Sequence, residues 1–110
     1  MREVNTLSEE KWHRVASTDD VAPDEPIRVQ VGEEDIAIYN VKGDFHATSN
    51  ICTHAYASMV DGFQEGEEIE CPLHEARFNI KTGKALCAPV TVDLKVYQVK
   101  IDGTDILVQI

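Results

Sequence analysis

The sequence predicts an all-β fold made of antiparallel strands with a loop-rich insertion. The segments "IRVQV" (27–31) and "DIAIYNV" (35–41) alternate apolar and polar residues with a period of two, which is typical of half-buried strands. The middle of the chain, 50–89, is rich in Gly, Pro, Cys and His and has weak periodicity. Loops carried by a rigid scaffold are where functional residues concentrate, so we expect a site there.

The remaining elements follow in chain order. "STDD" before Val21 predicts one capped helical turn ahead of the first alternating strand. Gly43 in "VKGD" marks a turn after the second strand, and "FHAT" continues the alternation up to the insertion. The C-terminal "VYQVKIDGTDILVQI" predicts a hairpin that turns at Asp102-Gly103-Thr104. Its predicted faces are Tyr97, Val99 and Ile101 on one strand, and Ile106, Val108 and Ile110 on the other.

Length and composition exclude several classes of protein. A chain of 110 residues with 43% hydrophobic content suits a single domain, 1–110, with one modest core. No apolar run is long enough to span a membrane, and "MREVNTLSEEKWHR" does not resemble a secretory signal, so we expect a cytoplasmic protein without membrane contact. A net charge of -10 disfavours nucleic acid and favours a partner with a basic surface.

Two short stretches carry the chemistry. "NICTHAYASM" contains Cys52 and His54, and "IECPLHEARF" contains Cys71 and His74. Three cysteines in a reducing compartment point to metal binding or catalysis rather than to disulfides. The two pairs together offer two thiolates and two imidazoles, a complete set of four metal ligands.

Two kinds of metal site accept this ligand set. Zinc binds Cys₂His₂ tetrahedrally, but usually with both cysteines in one loop and both histidines in another. Here each loop carries one cysteine and one histidine, which suits a dinuclear iron-sulfur cluster with both thiolates on one iron and both imidazoles on the other. Ordinary buried cysteines and histidines remain the plain alternative.

A family resemblance favours the cluster. "CTHAYASMVDGFQEGEEIECPLHEARFNIKTGKALCAPV" resembles the cluster-binding segment of Rieske proteins, C-T-H followed by C-P-x-H, and "AIYNVKGDFHATSN" and "LKVYQVKI" on either side also resemble that family. The resemblance implies a Rieske fold of stacked antiparallel sheets with a small loop-rich cluster-binding subdomain at about 50–89. It also implies one Rieske-type 2Fe-2S cluster, with Cys52, His54, Cys71 and His74 as its ligands.

Within that family, the chain most resembles the small ferredoxin components of bacterial aromatic-ring-hydroxylating dioxygenases, the naphthalene type especially. This implies a soluble, monomeric one-electron carrier between a flavin-dependent NAD(P)H reductase and a terminal Rieske oxygenase. The chain continues for about twenty residues after Pro89, too few for the catalytic iron domain of an oxygenase, so we expect no enzymatic activity of its own. The alternatives are a Rieske small subunit of another oxidoreductase, such as nitrite reductase, and a zinc-stabilised binding module.

Other residues refine these expectations. Cys87 is outside the ligand set, and we expect a small buried apolar role for it. His13 and His46 are also outside the motif, and His46 is expected near a strand edge in a structural or solvent-facing role. Ala57 and Leu73 stand where the high-potential Rieske branch has a pair of disulfide-bonded cysteines, so that disulfide is absent.

The resemblance also bears on the reduction potential. Ala76 and Phe78 stand where the high-potential branch has a serine and a tyrosine that resemble hydrogen-bond donors to the cluster, and Glu75 adds a nearby negative charge. We therefore expect a potential at the low end of the Rieske range.

The acidic residues are unevenly placed along the chain. No Lys or Arg occurs between Lys42 and Arg77, although seven acidic residues do. This interval is either a generic solubilising surface or one that steers the protein onto basic partners.

Overall fold

The computed structural model describes residues 11–53, 57–73, 76–86 and 92–110. Within these ranges the chain forms ten strands in three antiparallel sheets, joined by two 3₁₀ turns at Thr18–Asp20 and Met59–Asp61. The strands are β1 (Trp12–Ser17), β2 (Ile27–Val31), β3 (Glu34–Val41), β4 (Asp44–Ser49), β5 (Phe63–Glu65), β6 (Glu68–Glu70), β7 (Arg77–Asn79), β8 (Val96–Tyr97), β9 (Val99–Asp102) and β10 (Asp105–Gln109). The sheets have the strand orders β1-β10-β9, β2-β3-β4-β8 and β5-β6-β7. No helix in the described ranges is long and apolar enough to cross a membrane.

The all-β prediction is confirmed, and so are the capped turn before Val21, the turn at Gly43 and the C-terminal hairpin at Gly103. Ser17 caps the first 3₁₀ turn, since its side-chain oxygen accepts a hydrogen bond from Asp19 N, and the carboxylate of Asp20 accepts one from Ser17 N. β3 and β4 form the predicted hairpin around Lys42 and Gly43, both of which have positive φ. β9 and β10 form the C-terminal hairpin.

The segment before the C-terminal hairpin differs from the prediction. Tyr97 does not continue β9 but belongs to β8, where it pairs with Ala47 of the four-stranded sheet. Its hydroxyl donates a hydrogen bond to Glu34 Oε1 at 2.5 Å, and the ammonium of Lys95 contacts the same oxygen at 3.2 Å. These side-chain bonds attach β8 to the four-stranded sheet, and the chain changes sheet at Gln98.

The third strand is buried on both faces. Ala37, Tyr39 and Val41 pack into one core, and Ile36 and Ile38 pack into a second core on the opposite face. The second core is completed by residues of β1, β4 and β10: Ala16, Ala47, Ile106 and Val108. Because successive residues of a strand point to opposite faces, the nearly continuous apolar run of β3 is what a strand between two cores requires.

The insertion contains more regular structure than expected. β5, β6 and β7 form a small antiparallel meander. Ile69 of the middle strand pairs with Gln64 on one side and with Phe78 on the other, so these three residues share one face. Ile69 and Phe78 are fully buried and join the core that also contains Tyr39 of β3. The meander is therefore packed onto the four-stranded sheet through one shared core.

Gly83 holds the segment after the meander close to the rest of the chain. Its carbonyl accepts a hydrogen bond from Leu94 N at 2.7 Å, and its φ of +77° lies in the left-handed region. A Cβ at this position would lie 2.1 Å from Leu94 O, so a side chain would push residues 92–94 away.

We predict that Gly83→Ala destabilises the protein by about 2–4 kcal/mol, because it combines backbone strain with a steric clash. Gly32→Ala is the matched control, since Gly32 also has positive φ but nothing lies within 4 Å of its Cβ position. The control should lose only about 1 kcal/mol. Urea unfolding followed by circular dichroism measures both, and equal losses would contradict the steric argument.

Candidate metal centre

The first cysteine lies in a loop that begins directly after β4. Cys52 N donates to Ala57 O at 2.9 Å, and Met59 N donates to Asn50 O at 2.7 Å, so the two arms of the loop are paired. Asn50 is fully buried and donates from its side-chain nitrogen to Ser58 Oγ at 2.8 Å. These bonds hold the base of the loop, with Cys52 just inside it.

The second cysteine lies in the loop between β6 and β7, and this loop is closed in the same way. Cys71 N donates to Ala76 O at 2.7 Å. In both loops the cysteine amide binds the carbonyl of an alanine five residues later. The ladder between β6 and β7 holds the arms below it, with Glu70 paired to Arg77.

Both cysteines are buried in one core. Cys52 is 4% exposed and Cys71 is 1% exposed, and both belong to the apolar cluster that contains Tyr39, Ala76 and Phe78. Two soft sulfur atoms from separate loops thus lie in one core that is shielded from water. Iron-sulfur clusters are held by cysteine thiolates, and a bound metal offsets the cost of burying that charge, so these residues fit a Rieske cluster.

A third segment is attached to the first loop. Thr53 Oγ1 donates to Val92 O at 2.6 Å, which joins the residue after Cys52 to the chain beyond 87–91. The same segment is held to the meander side, since Ala85 N donates to Asp93 Oδ1 at 2.8 Å. Sequence reasoning did not assign a role to Thr53 or to Asn50, although a polar residue within two positions of Cys52 on either side is a usable signal.

Several residues of the sequence hypothesis lie outside the described residues. These are His54, His74, Glu75, Cys87 and Pro89. Among the residues that the structure does describe, no group of three or more His, Cys, Asp or Glu side chains is placed to hold a metal. The structure thus places the two cysteines in one core, and His54 and His74 stay a prediction from the sequence motif.

His46 lies apart from the two loops. It sits on β4, opposite Tyr39, beside a cleft of about 250 Å³ that Lys81 and Val96 also line. Its Nε2 is buried without a hydrogen-bond partner among the described groups. Burial, and then the charge of Lys81, lower its pKa, which favours the neutral imidazole. The structural or solvent-facing role that the sequence suggested for His46 stays a prediction.

The acidic interval is partly neutralised by later residues. Arg77 contacts Glu70 at 2.9 Å, Glu68 at 3.2 Å and Glu65 at 3.7 Å. The hydrogen bond with Glu68, followed by the charge of Glu70, raises the pKa of Arg77 above its ordinary value. Lys81 contacts Glu67 at 3.6 Å. Several of the carboxylates proposed for steering therefore already have a cation beside them.

Comparison with known proteins decides the family. Residues 11–98 match the Rieske 2Fe-2S domain family. The chain belongs to this family. Its cofactor is accordingly a Rieske 2Fe-2S cluster, which agrees with two buried cysteines in separate loops.

Two relatives that share nearly half of their residues with this chain are ferredoxin components. The chain is 47% identical over 100 residues to the ferredoxin component of the naphthalene 1,2-dioxygenase/salicylate 5-hydroxylase systems of Ralstonia sp., covering 91% of this chain and 96% of that protein. It is 46% identical to the ferredoxin component of the naphthalene 1,2-dioxygenase system of Pseudomonas aeruginosa, covering 92% and 97%. The protein is therefore an electron-transfer protein of the ferredoxin type, as predicted, rather than a catalytic subunit.

Solved structures agree with this assignment. The Sphingomonas yanoikuyae B1 ferredoxin superposes with a TM-score of 0.87 at 35% identity, covering 91% of this chain and 99% of that one. A ferredoxin-oxygenase complex of carbazole 1,9a-dioxygenase gives a TM-score of 0.84 at 37% identity, covering 89% and 92%. A nitrite reductase small subunit from Mycobacterium tuberculosis gives 0.82 at 21% identity, which reflects a shared fold.

We predict that Thr53→Val shortens the lifetime of the bound cluster, because it removes the bond between the first loop and Val92. A hydrogen bond contributes about 0.5–1.5 kcal/mol, so loss of the visible absorption in air should be about two- to tenfold faster. Thr53→Ser keeps the hydroxyl and is the control. Identical decay of the wild-type and Val proteins would show that this bond does not protect the cluster.

Proposed function

We propose that this protein is the ferredoxin component of an aromatic-ring-hydroxylating dioxygenase system. In this role it carries single electrons from a flavin-dependent NAD(P)H reductase to a terminal Rieske oxygenase. The observation that supports this most is the similarity to naphthalene-type ferredoxin components, which extends over nearly the full length of both chains. We further propose that it acts as a monomer in the cytoplasm.

The proposed ligands are Cys52, His54, Cys71 and His74. Hydrogen bonds at the bases of the two loops hold Cys52 and Cys71 in place, and this supports their assignment as ligands. The histidines follow within the same loops, two and three residues after their cysteines. We place these loops in a cluster-binding subdomain of about 50–89 within a single domain of 1–110.

The bound cluster would supply reversible one-electron oxidation and reduction. The protein positions it and excludes water. Tyr39, Met59 and Phe78 pack with both cysteines into a core that lies on the four-stranded sheet. A redox centre held on such a rigid base changes its surroundings little between oxidation states, which favours rapid transfer.

The proposed cluster end of the molecule carries exposed apolar side chains. Leu73 follows Cys71 in its loop and is 61% exposed, and Val92, the partner of Thr53, is 60% exposed. Electron transfer requires close approach of the two redox centres. Exposed apolar residues beside the cluster suit partners that bind briefly and then dissociate.

Reconstitution tests this function. The purified protein should be reduced by NADH through a flavin reductase and should support hydroxylation by a terminal oxygenase of the naphthalene type. Omitting the protein should abolish product formation. Electron paramagnetic resonance of the reduced protein tests the cofactor, and a colourless zinc-containing protein would contradict the proposal.

We predict that His54→Ala and His74→Ala each abolish or convert the cluster, because each removes one of its four protein ligands. His13→Ala, His46→Ala and Cys87→Ser should retain the visible spectrum. Circular dichroism separates cluster loss from unfolding. A folded but colourless Cys87→Ser protein would contradict the ligand assignment.

We predict that Ala76→Ser and Phe78→Tyr each raise the reduction potential. Both residues are fully buried in the core of the two cysteines, and a new hydroxyl donating to sulfur would stabilise the extra electron. A charge-assisted bond of about 1.5–3 kcal/mol corresponds to roughly 65–130 mV for a one-electron couple. Protein film voltammetry measures the shift.

The matched controls lie in the second core. Ala47→Ser and Phe45→Tyr make the same chemical changes there, beside residues such as Ile38 and Val108. Neither should move the potential. A wild-type potential well above zero, or a double variant of Ala76 and Phe78 without an upward shift, would contradict the prediction.

A further inference from the structure

The meander formed by β5, β6 and β7 has one buried face and one open face. Residues paired directly across an antiparallel ladder share a face, and Gln64, Ile69 and Phe78 form the inner one. The outer face consists of the six other residues of these strands, Phe63, Glu65, Glu68, Glu70, Arg77 and Asn79. We call these six residues the outer face.

Phe63 is unusually open for an aromatic residue. It is 68% exposed, the highest value among the large apolar side chains that the structure describes. Exposed apolar residues of the opposite, C-terminal sheet, Ile101 and Ile110, reach only 43% and 42%. Large aromatic residues are enriched among the side chains that dominate binding energy at protein interfaces.

The charge around Phe63 is negative. Three carboxylates surround the single guanidinium of Arg77, which leaves a net negative charge on the outer face. Glu65 is the least neutralised of them, since its side chain is 84% exposed and lies 3.7 Å from Arg77. An exposed aromatic residue beside a net negative charge matches a partner that has an apolar hollow bordered by Lys or Arg.

The outer face also borders the metal site. Phe63 pairs with Glu70, the residue before Cys71, and Glu70 pairs with Arg77, the residue after Ala76. The row nearest the Cys71 loop is therefore Phe63, Glu70 and Arg77. A protein bound to this row lies beside the proposed cluster.

We propose that the outer face is a docking surface for the terminal oxygenase, with Phe63 as its main binding residue. This rests on the proposed function. The oxygenase is the chosen partner because a ferredoxin 37% identical to this chain forms a complex with its oxygenase. The outer face thereby gives the carrier a contact with the electron acceptor in addition to the exposed apolar residues at the cluster end.

Stopped-flow transfer from the reduced protein to the terminal oxygenase of the naphthalene 1,2-dioxygenase system tests the proposal. Phe63→Ser should raise the protein concentration needed for half-maximal rate by about tenfold and leave the rate at saturation unchanged. Phe63→Tyr should restore most of the affinity. Glu65→Gln should slow association at low salt by about two- to threefold and weaken the salt dependence.

Two control variants make the same chemical changes elsewhere. Ile101→Ser removes an exposed apolar side chain from β9, and Glu33→Gln removes an exposed carboxylate from the turn between β2 and β3. Both should behave as the wild type. Reduction of each variant by the flavin reductase is measured in parallel and should be unaffected by Phe63→Ser.

The outcomes separate the docking proposal from the proposed function. A wild-type protein that cannot reduce the oxygenase contradicts the function and the docking surface together. A wild-type protein that reduces it, with Phe63→Ser equally effective, contradicts only the docking surface. If Phe63→Ser impairs reduction by the reductase and not transfer to the oxygenase, the outer face belongs to the reductase and the assignment is wrong.

Discussion

Burial of β3 on both faces is the constraint on which the rest of the molecule depends. Ile36 and Ile38 tie it to the sheet that holds both ends of the described chain, while Ala37 and Tyr39 tie it to the core of the cysteines. One strand thus takes part in both hydrophobic cores. Because interiors are close-packed, displacement in one core is felt in the other, and the metal site gains a rigid base from strands that contribute no ligand.

Attachment of the site to this base is mainly a matter of hydrogen bonds. Backbone bonds close both cysteine loops, Asn50 pins the first loop, and Thr53 joins it to the segment at Val92. The charged residues lie outside this framework, on the open face of the meander, where exposed ion pairs contribute little to stability. Polar groups near the cysteines therefore maintain the geometry of the two cysteine loops. The charged groups on the outer face remain available to bind a partner protein.

The sequence was a good guide where local pattern decides structure. The alternating strands, the Ser17 cap and the hairpin at Gly103 were predictable because each depends on neighbouring residues. The family and the cofactor were predictable because two Cys-His pairs at short spacing are rare by chance. For the proposed histidine ligands, the argument is that spacing together with the resemblance of the motif to Rieske proteins.

The features that were not predictable depend on long-range contacts. β5, β6 and β7 are three residues each, too short for a periodic pattern to be recognised. Tyr97 alternates in register with β9, yet its bond to Glu34, 63 residues away, places it in a different sheet. The acidic interval looked uncompensated because its cations, Arg77 and Lys81, come later in the chain and reach it only through pairing of the strands.

The identical closure of the two cysteine loops has a consequence for how the protein is assembled. Cys52 and Cys71 each bind an alanine carbonyl through their own amide, and neither bond involves a metal. The described bases of the loops are therefore held by the backbone itself, so this part of the framework depends on how the chain folds and not on the metal alone.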